Sequence, residues 1–466
     1  AGDRVGLYLT NGPEFVTAIY ACSKLGAVET PINWQYRERE VRHAVDSADI
    51  ETVIVEPDED RLEVLGAVAN DLETVVATGD HPELADLDVE TRLLPDLVAS
   101  AGDDQLDPPV GIEDPVAIMY TSGTTGLPKP TVLSNESFLL GAKSFLGFPL
   151  AEDDTNYNPY PLFHANNQVY SMLGSAVHGS PYVLADRFST SAFLDHVRDF
   201  GVTSVNIIGG VPKMLQSAYG DDGVVETPLE YALGPIATGV WEAFEATFDL
   251  TVFQLYSQTE SLTLLANHPE RQAVKIGAIG EPMFADLGHE AWVEGEDGER
   301  LPPDTEGELV RTDPGHMLEY RDMPEKTRET LRDGAIYSGD VVTMDADGHC
   351  YYVDRKKFMV RRAGENISAQ QVEDVIDELD GVAESAVIPV PHEIRGEEVK
   401  AVVIRQDDDR SERDVVDHVA SELSAYKVPR YVEFVDGVPR TPTERIKRVS
   451  LADDEAARDD HGWDRE

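Results

Sequence analysis

Apolar and polar positions divide the chain into two textures. Val5–Leu9 and Thr52–Val55 are short apolar runs suited to buried strands, whereas Pro13–Leu25 and Glu38–Val45 carry apolar residues at helical spacing. Gly26 stands where a helix end calls for positive φ. Strands alternating with helices of this length predict a parallel sheet covered on both faces. The alternation returns in Phe193–Phe200 (helix), Ser204–Ile208 (strand), Gly239–Phe248 (helix) and Thr251–Leu255 (strand). From about Ile276 the texture changes. Glu308–Arg311, Val341–Asp345 and Cys350–Val353, set between Gly, Asp and Pro, predict short antiparallel strands. Beyond Asp354 a smaller α+β unit follows: helix Ala369–Leu379, strands Glu384–Val390 and Val399–Ile404, helix Glu412–Leu423 and strand Tyr431–Val435. The charged tail Ala452–Glu466 is expected to fray.

One stretch fits neither texture. The apolar run Ala117-Ile118-Met119-Tyr120 feeds into Thr121-Ser122-Gly123-Thr124-Thr125-Gly126-Leu127-Pro128-Lys129. Hydroxyls, close-approaching glycine backbone and one mobile ammonium make a phosphate-handling composition. It is not a P-loop, because the glycine spacing is too short and no Ser or Thr follows the lysine. By local composition alone a flexible connector fits as well.

Composition adds three constraints. At 466 residues the chain calls for two or more domains. Its 89 acidic against 38 basic side chains give a formal net charge of −51, spread along the length in runs such as Glu56–Asp60, Asp103–Asp107 and Asp407–Asp409. Self-repulsion on that scale destabilises a compact state in dilute buffer and is screened by molar salt, which predicts adaptation to high salt. The same charge argues against nucleic acid and anionic membranes as partners. Two cysteines, Cys22 and Cys350, form no disulfide framework or metal spacing, as expected in a reducing cytoplasm. No apolar run reaches membrane-spanning length, and no signal peptide is present. The chain opens on Ala1-Gly2-Asp3-Arg4 and enters a strand at once, so it reads as clipped.

Further motifs then fall into order: Pro161-Leu162-Phe163-His164, Tyr256-Ser257-Gln258-Thr259-Glu260, Tyr337-Ser338-Gly339-Asp340, Asp354-Arg355-Lys356-Lys357 and Gly364-Glu365-Asn366-Ile367-Ser368. With the loop Tyr120–Lys129, this set resembles the adenylate-forming superfamily of acyl-CoA synthetases, luciferases and peptide-synthetase adenylation domains, over nearly the whole chain. The resemblance implies an α/β fold: a large N-terminal domain of parallel-rich α/β layers with a small antiparallel β subdomain, residues 1–354, and a small mobile α+β C-terminal domain, residues 355–466. Family members usually carry a few dozen further residues ahead of the GDRV-like start. The implied reaction joins a small-molecule carboxylic acid to CoA in two halves. A carboxylate first attacks the α-phosphate of MgATP, giving an acyl-adenylate and pyrophosphate, and a thiol then displaces AMP.

The resemblance also implies roles. Thr121, Ser122, Gly123, Thr124, Thr125, Gly126 and Lys129 would wrap the β- and γ-phosphates. Tyr256 would stack on adenine beside Gly234-Pro235, Asp340 and Arg355 would hold the ribose hydroxyls, Thr259 would reach the phosphates, and Glu260 would bind Mg²⁺. His164 would border the carboxylate, in an acyl pocket built from His164, Asn166, Asn167, Gln168, Ile208, Gly209, Gly210, Leu233, Ser257 and Gln258. Lys357 occupies the hinge position; Arg361, Arg362 and the loop around Gly364-Glu365 would meet CoA after the small domain turns.

The chain departs from the family at the adenylation lysine. In Pro439-Arg440-Thr441-Pro442-Thr443-Glu444-Arg445-Ile446-Lys447, glutamate and arginine stand where glycine and lysine are usual. A guanidinium is not equivalent to an ammonium that must reach both the carboxylate and the α-phosphate, so either Arg445 or Lys447, two residues on, supplies the charge. The polar triplet Asn166–Gln168, the run Pro391–Ala401 and this variant motif weakly resemble the crotonobetaine/carnitine–CoA ligase and medium-chain acyl-CoA synthetase branch. Two alternatives stand beside free CoA as acceptor: loading of a carrier-protein thiol, and a nucleotide- or acyl-CoA-binding protein with little turnover. The expected partners are otherwise the acid, ATP and CoA, with no integral membrane association and room for a homodimer.

Overall fold

The computed structural model describes residues 2–102, 110–121, 128–208, 210–220, 223–267, 275–356, 358–362, 365–392, 395–406, 410–423, 425–440, 446–456 and 461–465. Its first sheet has eight strands. Pro115–Thr121, Val28–Pro31, Arg4–Tyr8, Thr52–Val55, Thr74–Ala77 and Glu90–Leu93 run parallel, and Lys129–Ser134 and Glu319–Tyr320 extend the edge antiparallel. A second, five-stranded sheet is parallel throughout: Thr251–Phe253, Tyr231–Leu233, Ser204–Asn206, Asn156–Asn158 and Tyr182–Leu184. Apolar helix faces cover it. Trp241, Phe244 and Phe248, spaced three and four apart on helix Thr238–Phe248, bury against Val205, Ala232 and Val252.

A third sheet is antiparallel, with Leu255–Gln258, Ser261–Ala266, Ala278–Pro282, Cys350–Arg355, Ala335–Met344, Gly307–Thr312 and Glu290–Glu294 in that order. The fourth belongs to the C-terminal unit. There Val382–His392, Gly396–Arg405 and Tyr431–Val435 pair in series and bury valines against helices Ala369–Asp377 and Glu412–Glu422. Among the described residues no helix is long and apolar enough to cross a membrane.

Two sequence expectations change. The run Thr251–Leu255 is not one strand: Thr251–Phe253 stays in the parallel sheet while Leu255–Gln258 joins the antiparallel one. Gln254 is the switch, buried with its side-chain oxygen accepting from Ile236 N at 3.2 Å and its carbonyl from Asn267 N at 3.0 Å. The charged tail does not fray over its described part. It forms helix Arg448–Ala456 and strand Trp463–Asp464, the latter paired with Tyr431–Val435.

Candidate active site

The phosphate-type loop is closed at its root by a strand pair. Thr121 and Lys129 are the terminal Cα partners of the antiparallel strands Pro115–Thr121 and Lys129–Ser134. Ser122, Gly123, Thr124, Thr125 and Gly126 lie outside the described residues. Thr121 Oγ1 is buried without a hydrogen-bond partner among the described residues. Lys129 Nζ stands 3.2 Å from Glu260 Oε1, and the Tyr320 hydroxyl touches both groups. Burial opposes the Glu260 charge, but Lys129 and the Tyr320 hydroxyl overcome it and hold the carboxyl below its ordinary value. Thr259 and Glu260 form the tip of a tight hairpin between Gln258 and Ser261, which brings the Glu260 carboxylate to the loop root.

A second cluster lies on the same side. Asp340, 1% exposed, accepts from the Tyr256 hydroxyl at 2.5 Å and from Gln258 Nε2 at 3.0 Å, and its other oxygen pairs with Arg355 Nε at 2.7 Å. Burial, then the Asp340 carboxylate, pushes the Tyr256 phenol well above its usual range, so it remains a donor. The register shifts between Tyr256 and Gln258, with the extra residues on the partner strand Ser261–Ala266, and the side chains of Tyr256 and Gln258 both reach Asp340. The hairpin joins the two clusters into one site: Tyr256 and Gln258 on its first strand meet Asp340, and Glu260 at its tip meets Lys129. Gly234, with φ of +145°, lies where a Cβ would stand 1.9 Å from the Ile207 carbonyl oxygen. The neighbouring strand thus excludes a side chain there, before any adenine does. Pro235 follows it half-buried.

The histidine motif leads into a helix of π geometry, Asn166–Leu173, a form that recurs at functional sites. The His164 ring packs 4.6 Å from Phe163, and its carbonyl accepts from the Asn167 and Gln168 amides. Asn166, half-buried, accepts from Asn158 Nδ2 at 2.9 Å. Asn167 and Gln168 are fully buried, one between Tyr160 O and the Tyr182 hydroxyl, the other against Glu29. In this structure their amides are held by partners inside the core. Ile208 is fixed through the Tyr160 hydroxyl, Leu233 is buried, and Gly210 starts helix Val211–Tyr219. Gly209 lies outside the described residues.

At the boundary, Asp354 is fully buried and accepts from Arg355 N, Gln370 N and Ser368 Oγ, the last being the N-cap of helix Ala369–Asp377. Lys213 Nζ, on the large unit, meets Asp377 of that helix at 3.3 Å. Arg362 is 6% exposed, pairs with Glu398 at 2.7 Å and donates to Tyr426 O. Arg361 is exposed, as is Lys447, whose N–H reaches Pro439 O at 2.8 Å. Lys357, Gly364 and Arg445 lie outside the described residues; Glu365 pairs with Arg362 across a short antiparallel ladder. Tyr320 was missed in the sequence, where Leu318-Glu319-Tyr320 shows no strand rhythm.

Two α/β bodies, an antiparallel sheet carrying the carboxylates and a C-terminal α+β unit define the adenylate-forming architecture. The chain belongs to the AMP-binding enzyme family: residues 1–321 match the family's profile and residues 371–445 that of the AMP-binding enzyme C-terminal domain. It is 32% identical to a feruloyl-CoA synthase of Amycolatopsis over 96% of this chain and 87% of that protein. Crotonobetaine/carnitine–CoA ligase of Salmonella arizonae is 27% identical over 97% of this chain and 88% of its own. The crystal structure of the anthranilate CoA ligase AuaEII with anthranoyl-AMP superposes with a TM-score of 0.85 over 97% of this chain and 87% of the other; at 24% identity that likeness concerns the fold.

Proposed function

We propose that the protein is an ATP-dependent carboxylic acid–CoA ligase that works through an acyl-adenylate, releasing pyrophosphate and then AMP. One observation carries this reading: a single hairpin brings Tyr256 and Gln258 onto the Asp340–Arg355 pair and Glu260, at its tip, onto Lys129, so a ribose-type grip and a phosphate-type grip share one element. Asp340 and Arg355 hold the ribose, Tyr256 faces adenine, and Thr121 and Lys129 neutralise the departing pyrophosphate. Glu260, the buried Thr121 hydroxyl and the absence of any three-carboxylate or histidine cluster among the described residues suit a metal bound mainly through substrate phosphates. Mg²⁺ there would supply charge neutralisation of the triphosphate.

His164, Asn166, Ile208, Gly210, Leu233 and Ser257 border the acyl group, and the chain turns about residues 354–357 so that the second half-reaction can admit the CoA thiol. Its place is the cytoplasm of a cell that holds concentrated salt.

The decisive assay is a panel of aromatic, medium-chain and betaine-type acids, screened in high salt for AMP release and thioester formation with CoA. At least one acid should give both products. ATP binding by calorimetry with no AMP from any acid would instead make the protein a binding paralogue. Arg445→Ala or Lys447→Ala should lower carboxylate-dependent pyrophosphate exchange by about 10²–10³-fold, as loss of a charge-stabilising donor does; no loss in either variant refutes both assignments.

A further inference from the structure

Tyr320 touches both charges at the loop root. It lies in the two-residue strand Glu319–Tyr320, which pairs with Lys129–Ser134 in the register Tyr320 to Thr131. That pairing brings the ring, 1% exposed, beneath Lys129, with Nζ 3.8 Å from the ring centroid. Its N–H donates to Thr327 Oγ1 at 3.0 Å, which fixes the strand from the following helix, Pro324–Thr330. Its hydroxyl bonds both Lys129 Nζ and Glu260 Oε1.

The direction of these bonds follows from the atoms. An ammonium only donates and a carboxylate only accepts, so Lys129 donates to the phenol oxygen and the phenol proton goes to Glu260. Lys129 is a second side-chain partner of the same Glu260 oxygen. While the two charges are paired, neither is available to a ligand.

We propose that Tyr320 is a positioning residue for nucleotide activation: its hydroxyl keeps the Glu260 carboxylate oriented for the divalent cation once Lys129 has moved to the phosphates. The inference rests on the ligase reading and deepens it. Triphosphate attracts Lys129 and the cation attracts Glu260, so loading exchanges the partners of one ion pair. Through that exchange the Tyr320 hydroxyl is the side-chain donor that stays on Glu260, as the outer partners of metal-binding carboxylates do.

The test is Tyr320→Phe, which keeps the ring, its stacking under Lys129 and its packing. Mn²⁺ is used as the metal, with a non-hydrolysable ATP analogue, and free Mn²⁺ is followed by electron paramagnetic resonance. Tyr320→Phe should weaken Mn²⁺ binding about 10–100-fold while metal-free analogue binding stays unchanged. On a Glu260→Gln background, which loses the cation site itself, the further change Tyr320→Phe should add nothing. Unaltered Mn²⁺ binding in Tyr320→Phe overturns the inference; so does an equal loss of metal-free analogue binding, which marks a residue that shapes the whole nucleotide site. If wild-type protein binds no analogue with or without Mn²⁺, the ligase reading itself has failed.

Discussion

Glu29 shows how far one side chain can depart from its surroundings. It is 1% exposed on strand Val28–Pro31 and receives a bond from Gln168. Its Oε2 and the Gln168 Oε1 are both buried without partners among the described residues. Burial pushes its carboxyl up to about 8, against the Gln168 bond, which lowers it. The unfolded chain releases that proton near the ordinary value of 4.5, so between 4.5 and about 8 the folded state binds more protons. The contribution is full below 4.5 and falls as pH rises through 8, at roughly 1.4 kcal/mol per pH unit within the window. Glu29→Gln should remove that fall, making the variant the more stable protein at pH 8; urea unfolding at pH 5 and pH 8 measures it. Parallel curves for the two proteins would mean that Glu29 is ionised when folded. Neither Glu29 nor the inward turn of Asn167 and Gln168 could be read from sequence, because a polar residue in an apolar run looks the same whether it lines a pocket or meets a partner across the core.

Among elements, legibility followed where the anchoring contacts lie. Helix Pro13–Leu25 has its proline start, its apolar stripe and its Gly26 stop within the segment, and the structure reproduces its limits. The residues Thr121, Lys129, Tyr256, Glu260 and Arg355 stand at or beside strand ends, where an apolar run breaks into polar residues, so their motifs were visible, whereas Asp340 lies in the middle of strand Ala335–Met344. Helix Arg448–Ala456 was not, since what holds it is far away in sequence: Glu455 is 55 residues from Lys400, which lies fully buried between Glu455 at 2.5 Å and Glu433 at 2.6 Å. Breaking such a group by removing one partner leaves uncompensated buried charge. Lys400→Met should therefore cost about 3–5 kcal/mol and detach the C-terminal helix, read as early protease cleavage near its N-terminus and a lowered melting midpoint. Unchanged cleavage would show that the helix is held by its apolar side alone.

At the scale of the molecule, the charge of −51 outweighs any single ion pair. Exposed pairs such as Arg92–Glu90 and Arg413–Asp417 contribute little each, about 0–1 kcal/mol, and leave the bulk of the negative surface unbalanced. Screening shortens from roughly 10 Å at 0.1 M salt to about 3 Å at 1 M. The unfolding midpoint should therefore climb steeply with KCl into the molar range, and maximal stability below ~0.2 M, where screening is still long-ranged, would refute the salt adaptation. The junction at Asp354 bears on something else, the recombination of such enzymes. Arg355 is bonded to Asp340 of the large unit, whereas Asp354 caps the first helix of the small one through Ser368 and Gln370. The two units are thus interleaved by one residue in each direction, and no cut between 354 and 355 separates them cleanly. A chimera that exchanges the small unit keeps both grips if the crossover falls after Arg355 and the incoming helix brings its own serine cap.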